Sequence, residues 1–194
     1  MQRVRLCELD RGTTLSCIAR LLCVQKRNLF VTIHQHQSVY REQLLEHLLI
    51  GQLLRHAWLH DDAALEVAKP EIDRAGYDIV LEAHGIVRHV QLKTSSLQAR
   101  TARQNIHLDL ATKPGGCIIW SRFDEKTLDL GPFLFFGGSP GSPLPSLEQF
   151  GIARHTRGNA TGYKAERVNI RVVPKGQFRQ LDSIDVLYRE LFGE

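Results

Sequence analysis

The sequence lacks the patterns that mark secreted, membrane-spanning and zinc-binding proteins. Its four cysteines form no CxxC pair, so neither a zinc site nor a disulfide framework is expected. No apolar run reaches the roughly 18 residues of a membrane span. Arg20 interrupts the apolar stretch near the N-terminus and no small-residue cleavage site follows, which argues against a signal peptide. These absences predict a cytoplasmic protein with reduced thiols.

Two further absences narrow the chemistry. His56 and His60 stand four residues apart, but the glutamate of an HExxH zinc-protease motif is missing. The Gly-, Ser- and Pro-rich stretch 137–148 is not followed by Lys-Ser or Lys-Thr, which excludes a nucleotide-binding P-loop. We therefore expect the two histidines to have packing or surface roles and the 137–148 stretch to be a loop.

Length and composition are those of one globular domain. The chain has 194 residues, of which 43% are hydrophobic and 24% charged. Residues 1–38 have weak periodicity and are expected to form a disordered or loosely attached arm. The single domain is predicted to occupy residues 39–194.

The run GYDIVLEAHGIVRHVQLKTS, residues 76–95, predicts a β-hairpin. A two-residue turn at His84-Gly85 pairs Ala83 with Ile86, and the same register sets Asp78 opposite Gln91. Side chains alternate along a strand, so Asp78, Gln91 and Lys93 share one face of the hairpin. A turn longer by one residue would move Asp78 to the other face.

Those three side chains suit phosphodiester hydrolysis. A carboxylate and an amide oxygen are ligands for Mg²⁺, and an ammonium group can neutralise developing phosphorane charge or hold the attacking water. A plain cross-strand salt bridge between Asp78 and Lys93 is the structural alternative, worth under about 1 kcal/mol.

A strongly apolar helix is predicted upstream, over residues 41–59. Glu46 falls on its apolar side, where a carboxylate is costly unless it is paired or bound to a cation. Glu46 is therefore either a structural partner of an Arg or Lys or a functional acid. Glu42 is the fallback on the same face.

With these residues in order, the chain resembles the restriction-endonuclease-like superfamily of PD-(D/E)xK nucleases. The pattern is a helical Glu, an Asp on the second strand and (Glu or Gln)-x-Lys on the third, which Glu46, Asp78, Gln91 and Lys93 match. The spacing from Asp78 to Gln91 is similar to that of the archaeal Holliday-junction resolvase branch, and Gln in place of Glu resembles the Mrr-type branch. The resemblance covers roughly residues 40–120.

The resemblance implies an α/β fold with a mixed central sheet flanked by helices. It also implies Mg²⁺ or Mn²⁺ bound by Asp78, Gln91 and Glu46, and cleavage of DNA. The proline that usually precedes the Asp is absent, since Gly76 and Tyr77 stand before Asp78, and Asp73 in Pro70-Glu71-Ile72-Asp73 is a second candidate ligand. Inactive members of this superfamily keep the fold and lose the metal.

The segment after Lys93 is expected to form a helix that starts at Ser95 or Ser96. This helix would carry Arg100 and Arg103 on its outer face, where they suit phosphate contacts. Residues 117–122 and 131–136 read as buried strands, and residues 182–192 as an amphipathic helix capped by Asp182 or Ser183.

Positive charge is concentrated in a basic loop predicted over residues 151–180, which holds seven Lys and Arg against one acid, Glu166. Within it, Arg154, Arg157, Lys164 and Arg167 suit contacts with a nucleic-acid backbone, and Tyr163 suits stacking on a base. The sequence thus predicts a DNA nuclease, with a non-catalytic nucleic-acid-binding module or a protein-interaction domain as alternatives. A homodimer is compatible with either DNA-binding reading.

Overall fold

The structure, a computed structural model, describes residues 37–72, 74–157 and 162–193. Residues 44–194 form one compact unit, which holds every strand of the described residues. The arm predicted for residues 1–38 lies almost entirely outside the described residues, as does Asp73.

Two helices, nine strands and two short 3-10 turns make up the described part of the chain. The helices are α1 (Ser38–His60) and α2 (Ile184–Phe192), and the 3-10 turns span Leu108–Thr112 and Lys175–Gln177. The strands are β1 (Glu66–Ala68), β2 (Ile79–Ala83), β3 (Ile86–Ser96), β4 (Arg103–His107), β5 (Cys117–Phe123), β6 (Leu130–Gly137), β7 (Ile152–Arg154), β8 (Glu166–Pro174) and β9 (Arg179–Leu181).

The central sheet has six strands in the order β1-β2-β3-β5-β6-β9. Neighbouring strands are antiparallel except for β3 and β5, which are parallel, so the sheet is mixed, as predicted. The predicted strands 117–122 and 131–136 correspond to β5 and β6. Strand β3 continues to Ser96, three residues beyond Lys93.

Both helices cover one face of this sheet. Leu49, Leu53 and Ala57 recur every fourth position on α1, so they form one apolar stripe that packs on Ile79 and Val90. Helix α2 adds Leu187 and Leu191 to the same core. Its cap is Ser183, whose Oγ accepts a hydrogen bond from Val186 N at 3.2 Å, in agreement with one of the two predicted caps.

A buried arginine ties β3 to the end of α2. Arg88 is 0% exposed, and Nε donates to Leu191 O at 2.7 Å. Its Nη2 donates to Glu190 O at 3.1 Å and its Nη1 to Gly138 O at 3.2 Å. Two of these carbonyls belong to the last turn of α2, where helix carbonyls lack partners and the helix dipole favours a cation. Arg88 therefore supplies donors to the last turn of α2, alongside the C-cap residue Gly193, although desolvation lowers its pKa.

A second polar contact joins the turn after α1 to α2. Tyr188 Oη donates to Asp61 Oδ2 at 2.5 Å, and His84 Nε2 lies 2.7 Å from Asp61 Oδ1. The Tyr188 hydrogen bond is the main cause that lowers the pKa of Asp61, with His84 adding to it. One carboxylate thereby fastens the β2–β3 turn, the end of α1 and α2 to one another.

The other face of the central sheet is covered by a second sheet, so among the described residues helices flank the central sheet on one face. The three strands of the second sheet run in the order β4-β8-β7 and are antiparallel. Ile106 of β4 and Val173 of β8 pack with Ile118 and Trp120 of β5 in a separate core. The predicted basic loop 151–180 is corrected, because β7, β8 and β9 account for much of it.

Neither of the two described helices combines the length and the hydropathy that crossing a bilayer requires.

Candidate functional site

The hairpin that carries the predicted site has the predicted register. His84 and Gly85 form its two-residue turn, with φ of 53° and 75°, as a type I′ turn requires. Ala83 pairs with Ile86 and Ile79 with Val90. Asp78 N donates to Val90 O at 2.8 Å, which continues the ladder one residue beyond β2. Asp78 therefore stands opposite Gln91, on the face of the sheet that the second sheet covers.

The Asp78 carboxylate is anchored to the neighbouring strand. Its Oδ2 accepts a hydrogen bond from Leu92 N at 2.6 Å. Together with the Asp78 N–H bond, this fixes both the backbone and the side chain of Asp78 against β3. A ligand held from two sides loses little freedom when it binds an ion or a substrate.

Gln91 is buried, with 7% of its surface exposed, and its Oε1 accepts no hydrogen bond from any described residue. An unmet buried carbonyl oxygen costs about 1–3 kcal/mol, so most proteins avoid it outside functional positions. Its unmet oxygen is a buried acceptor that the fold itself does not use.

Gly76 allows the chain to pass close to Gln91. Its φ is 73°, and a Cβ placed there would lie 2.2 Å from His107 Cβ and 3.3 Å from Gln91 Nε2. Glycine is required on both counts, since other residues rarely adopt that conformation and no space exists for a side chain. His107, at the end of β4, is thus a neighbour of the site that the sequence reading missed, because only the pairing of β4 with β8 brings it there.

Lys93 opens into a groove of about 890 Å³ between β3 and the second sheet. Arg100 and Arg103 line the same groove, together with Asn105 and Val172. The structure thus brings three predicted cationic residues to one surface. Beneath it, Lys93 pairs in register with Trp120, whose Nε1 donates to Ser95 Oγ at 2.7 Å, and Trp120 is 0% exposed.

Arg100 and Arg103 reach the groove without the helix that the sequence predicted. Residues 97–102 form a turn and Arg103 begins β4, so the predicted helix from Ser95 or Ser96 is wrong. The buried side chain of Arg122 explains the turn. Its Nη2 donates to three carbonyls in succession, Ser96 O at 2.7 Å, Leu97 O at 2.8 Å and Ala99 O at 3.3 Å. Carbonyls committed to one guanidinium are not available to a helix ladder.

Glu46 forms an ion pair with Lys69, the residue that follows β1. Its helix covers the face of the sheet opposite Gln91 and Lys93. Of the two roles that the sequence allows for Glu46, the structure contains the ion pair with a lysine. The role of Glu46 as a metal ligand stays a prediction. Glu42, the fallback, is exposed on α1.

The donor set at Asp78 and Gln91 suits a hard divalent cation. Mg²⁺ typically takes one or two protein oxygens and keeps several waters, and the unmet Oε1 of Gln91 beside a carboxylate fits that demand. Within residues 37–72, 74–157 and 162–193, no three His, Cys, Asp or Glu side chains group closely enough to hold an ion. Any metal here would therefore rest on few protein ligands.

The four residues of the 151–180 segment that were predicted to contact nucleic acid lie on β7, on β8 and on the connection between them. Arg154 forms an ion pair with Glu166, with Nη2 to Oε1 at 3.4 Å. Arg157, Lys164 and Arg167 are exposed. They occupy a different part of the second sheet from the groove beside Lys93, so the predicted nucleic-acid contacts divide into two groups.

The chain was also compared with known proteins. No family model and no curated protein matches it. Among solved structures, a bacterial homing endonuclease, I-Ssp6803I, is similar at 20% identity, covering 59% of this chain and 83% of that one, with a TM-score of 0.24. That TM-score is below the range in which two chains share a fold, so the assignment of function rests on the residues of this chain.

Proposed function

We propose that the protein is a metal-dependent nuclease of the PD-(D/E)xK type that hydrolyses phosphodiester bonds in DNA. The observation that supports the proposal is the register of the β2–β3 hairpin, in which the anchored Asp78 stands beside β3 close to Gln91, whose Oε1 is unmet, and Lys93 follows two residues later. A groove lined by Arg100 and Arg103 begins at Lys93, where the substrate backbone would lie.

The reaction adds water across a P–O bond. The water oxygen bonds to phosphorus and the ester oxygen leaves with a proton, while negative charge grows on the non-bridging oxygens. Lys93 would position the water or donate to those oxygens as their charge grows, a contribution that depends on its fixed place on β3. Arg100 and Arg103 would hold the flanking phosphates.

Asp78 and Gln91 would hold Mg²⁺ or Mn²⁺ without Glu46, whose helix covers the opposite face of the sheet and which pairs with Lys69. When bound, such an ion supplies a Lewis acid that polarises a phosphoryl oxygen. The immobilised carboxylate of Asp78 supplies the charge, and Gln91 supplies a second, neutral oxygen that the fold leaves without another use.

Cleavage of supercoiled plasmid with Mg²⁺ or Mn²⁺ tests the proposal. Wild-type protein should nick or linearise the plasmid, and EDTA should stop it. Lys93→Ala should lower the rate at least about a hundredfold, because it removes a donor from the charge that develops in the transition state. Lys126→Ala, at an exposed position in the β5–β6 turn, is the matched control and should leave the rate unchanged.

A catalytically inactive nucleic-acid-binding module on the same scaffold is the second candidate. The small number of acids at the site favours it, since no three metal-binding side chains group together in the described part of the chain. Binding of DNA that is indifferent to Mg²⁺ and to Asp78→Ala, with no cleavage by wild type, would select this candidate. Equal cleavage by wild type and Lys93→Ala would sink the assignment of the site.

A further inference from the structure

The β7–β8 hairpin projects from the body of the protein. Every described residue from Arg154 to Asn169 is exposed, on both strands and both faces. A strand of a packed sheet alternates between buried and exposed positions, as β2 does with Ile79, Leu81 and Ala83 buried. The loss of that alternation means that neither face of the hairpin rests on a core. We call this projecting element, residues 154–157 and 162–169, the ribbon.

An irregularity at the base of the ribbon directs it away from the second sheet. One step along β7, from Ile152 to Ala153, is matched by four steps along β8, from Arg171 to Arg167. Such bulges bend a strand pair and increase its twist. Arg171 Nη1 donates to Val168 O at 2.6 Å and closes the irregular segment. The bend is therefore held by a side chain, which makes the ribbon's direction a fixed property of the fold.

The charge of the ribbon is positive and unequally placed. It holds four Lys or Arg against one acid, Glu166, which is already paired with Arg154. The positive charge that is not offset within the pair belongs to Arg157 and Lys164, which lie outward of it, and to Arg167 at the base of the ribbon, opposite Ala153. A positively charged element that projects is suited to a partner with a negatively charged groove, more than to one with a flat acidic surface.

We propose that the ribbon enters the major groove of B-form DNA and is the element that contacts base edges. Paired strands lie about 4.8 Å apart, so with side chains a ribbon is roughly 10–12 Å wide. That matches a major groove about 12 Å wide and exceeds a minor groove of about 6 Å. The steps from Arg154 to Arg157 reach up to roughly 10 Å, enough for a groove about 8.5 Å deep.

The side chains at these positions are of the kinds that read bases. Arg157 and Lys164, outward of the Arg154–Glu166 pair, offer the donors that recognise guanine. The groove beside Lys93 would hold backbone phosphates and so position the protein on the duplex. The ribbon would contact the bases and so determine which sequence is bound. The inference rests on the proposed function in taking DNA as the partner, but it concerns binding and not hydrolysis.

Fluorescence anisotropy in EDTA, where no cleavage occurs, tests the inference. The probes are a 20-base-pair DNA duplex, an RNA duplex of the same sequence, and the DNA duplex with glucosylated hydroxymethylcytosines that fill the major groove. Because the A-form major groove is too deep and narrow for a ribbon, wild type should bind the DNA at least about tenfold more tightly than the RNA. The glucosylated duplex should bind more weakly by a similar factor.

The double variant Lys164→Glu with Arg167→Glu should weaken DNA binding at least about tenfold and reduce its salt dependence. The charge-matched control is the double variant Arg55→Glu with Arg189→Glu, at exposed positions on the two helices that cover the opposite face of the central sheet. Any of four results would overturn the inference. Wild type could bind DNA and RNA duplexes equally, bind the glucosylated duplex as tightly as the plain one, or bind no DNA at all. The fourth is a ribbon double variant that binds DNA like the control. Retained binding without cleavage would instead count only against the proposed function.

Discussion

Strand β3 carries a buried polar side chain on each of its faces, and the two are treated in opposite ways. Arg88, on the helix-covered face, donates to Leu191 O, Glu190 O and Gly138 O. Gln91, three residues on and facing the second sheet, keeps an oxygen that no described residue serves. Burial alone therefore does not mark a functional residue. A buried polar group whose partners are complete stabilises the fold, while one left incomplete is available for a ligand.

The largest effect on stability is expected from a substitution of Arg88, whose hydrogen bonds are complete. Arg88→Leu should lower the free energy of unfolding by about 3–5 kcal/mol, because three buried carbonyls lose their donor at once. Urea denaturation followed by circular dichroism measures the loss, with the slope of the transition checking that the unfolded state is unchanged. Arg88→Lys should lose less, since it keeps the charge with fewer donors. A urea midpoint for Arg88→Leu equal to that of wild type would show that Arg88 does not stabilise the end of α2.

Gln91→Leu sharpens the contrast because the expected change in stability is small. Removing an oxygen that has no partner should leave the free energy of unfolding within about 1 kcal/mol of wild type. The same substitution should abolish plasmid cleavage, since the site loses a ligand. A loss of more than about 2 kcal/mol would show that Gln91 is structural, like Arg88.

The smallest expected change in stability concerns Asp61 and is measured as a function of pH. Like Arg88, Asp61 is a side chain whose hydrogen-bond partners are present, Tyr188 and His84. Its pKa lies below its ordinary value of 3.8, chiefly because of the Tyr188 hydroxyl. A lowered pKa means that the stabilising contribution is present above the unfolded pKa and is lost as pH falls through the folded one. Asp61→Asn should therefore flatten the acid limb of stability below about pH 4.

Urea midpoints between about pH 2 and pH 6 measure this limb. Asp62→Asn is the matched control, because it changes an exposed carboxylate in the same turn. Parallel acid limbs for wild type and Asp61→Asn would contradict the assignment.

The same two faces explain what the sequence could predict. The register of Asp78 and Gln91 was predictable because a two-residue turn at His84-Gly85 fixes every pair in a hairpin. The second sheet was not, because β4 pairs with β8, more than sixty positions away, and no local pattern encodes such a partner. Residues 103–107 contain a single fully buried apolar side chain, Ile106, so their periodicity favours neither a strand nor a helix strongly.

Long-range contacts also explain why the roles of some side chains are not predictable. The acceptors of Arg88 lie about a hundred residues further along the chain. Arg122 donates to the carbonyls of Ser96, Leu97 and Ala99, where the sequence predicts a helix. The close approach of Gly76 to His107 and Gln91, which shapes the site, likewise depends on a strand that is distant in sequence.

The position of Trp120 gives the protein a built-in optical probe. The chain has two tryptophans, of which Trp58 is 75% exposed on α1 and Trp120 is fully buried beside Lys93. Their emission should separate into a long-wavelength component that aqueous quenchers reach and a short-wavelength component that they do not. The Trp120 indole is hydrogen-bonded to Ser95, in the strand that bears Lys93. The short-wavelength component of the emission therefore reports on the groove without any added label.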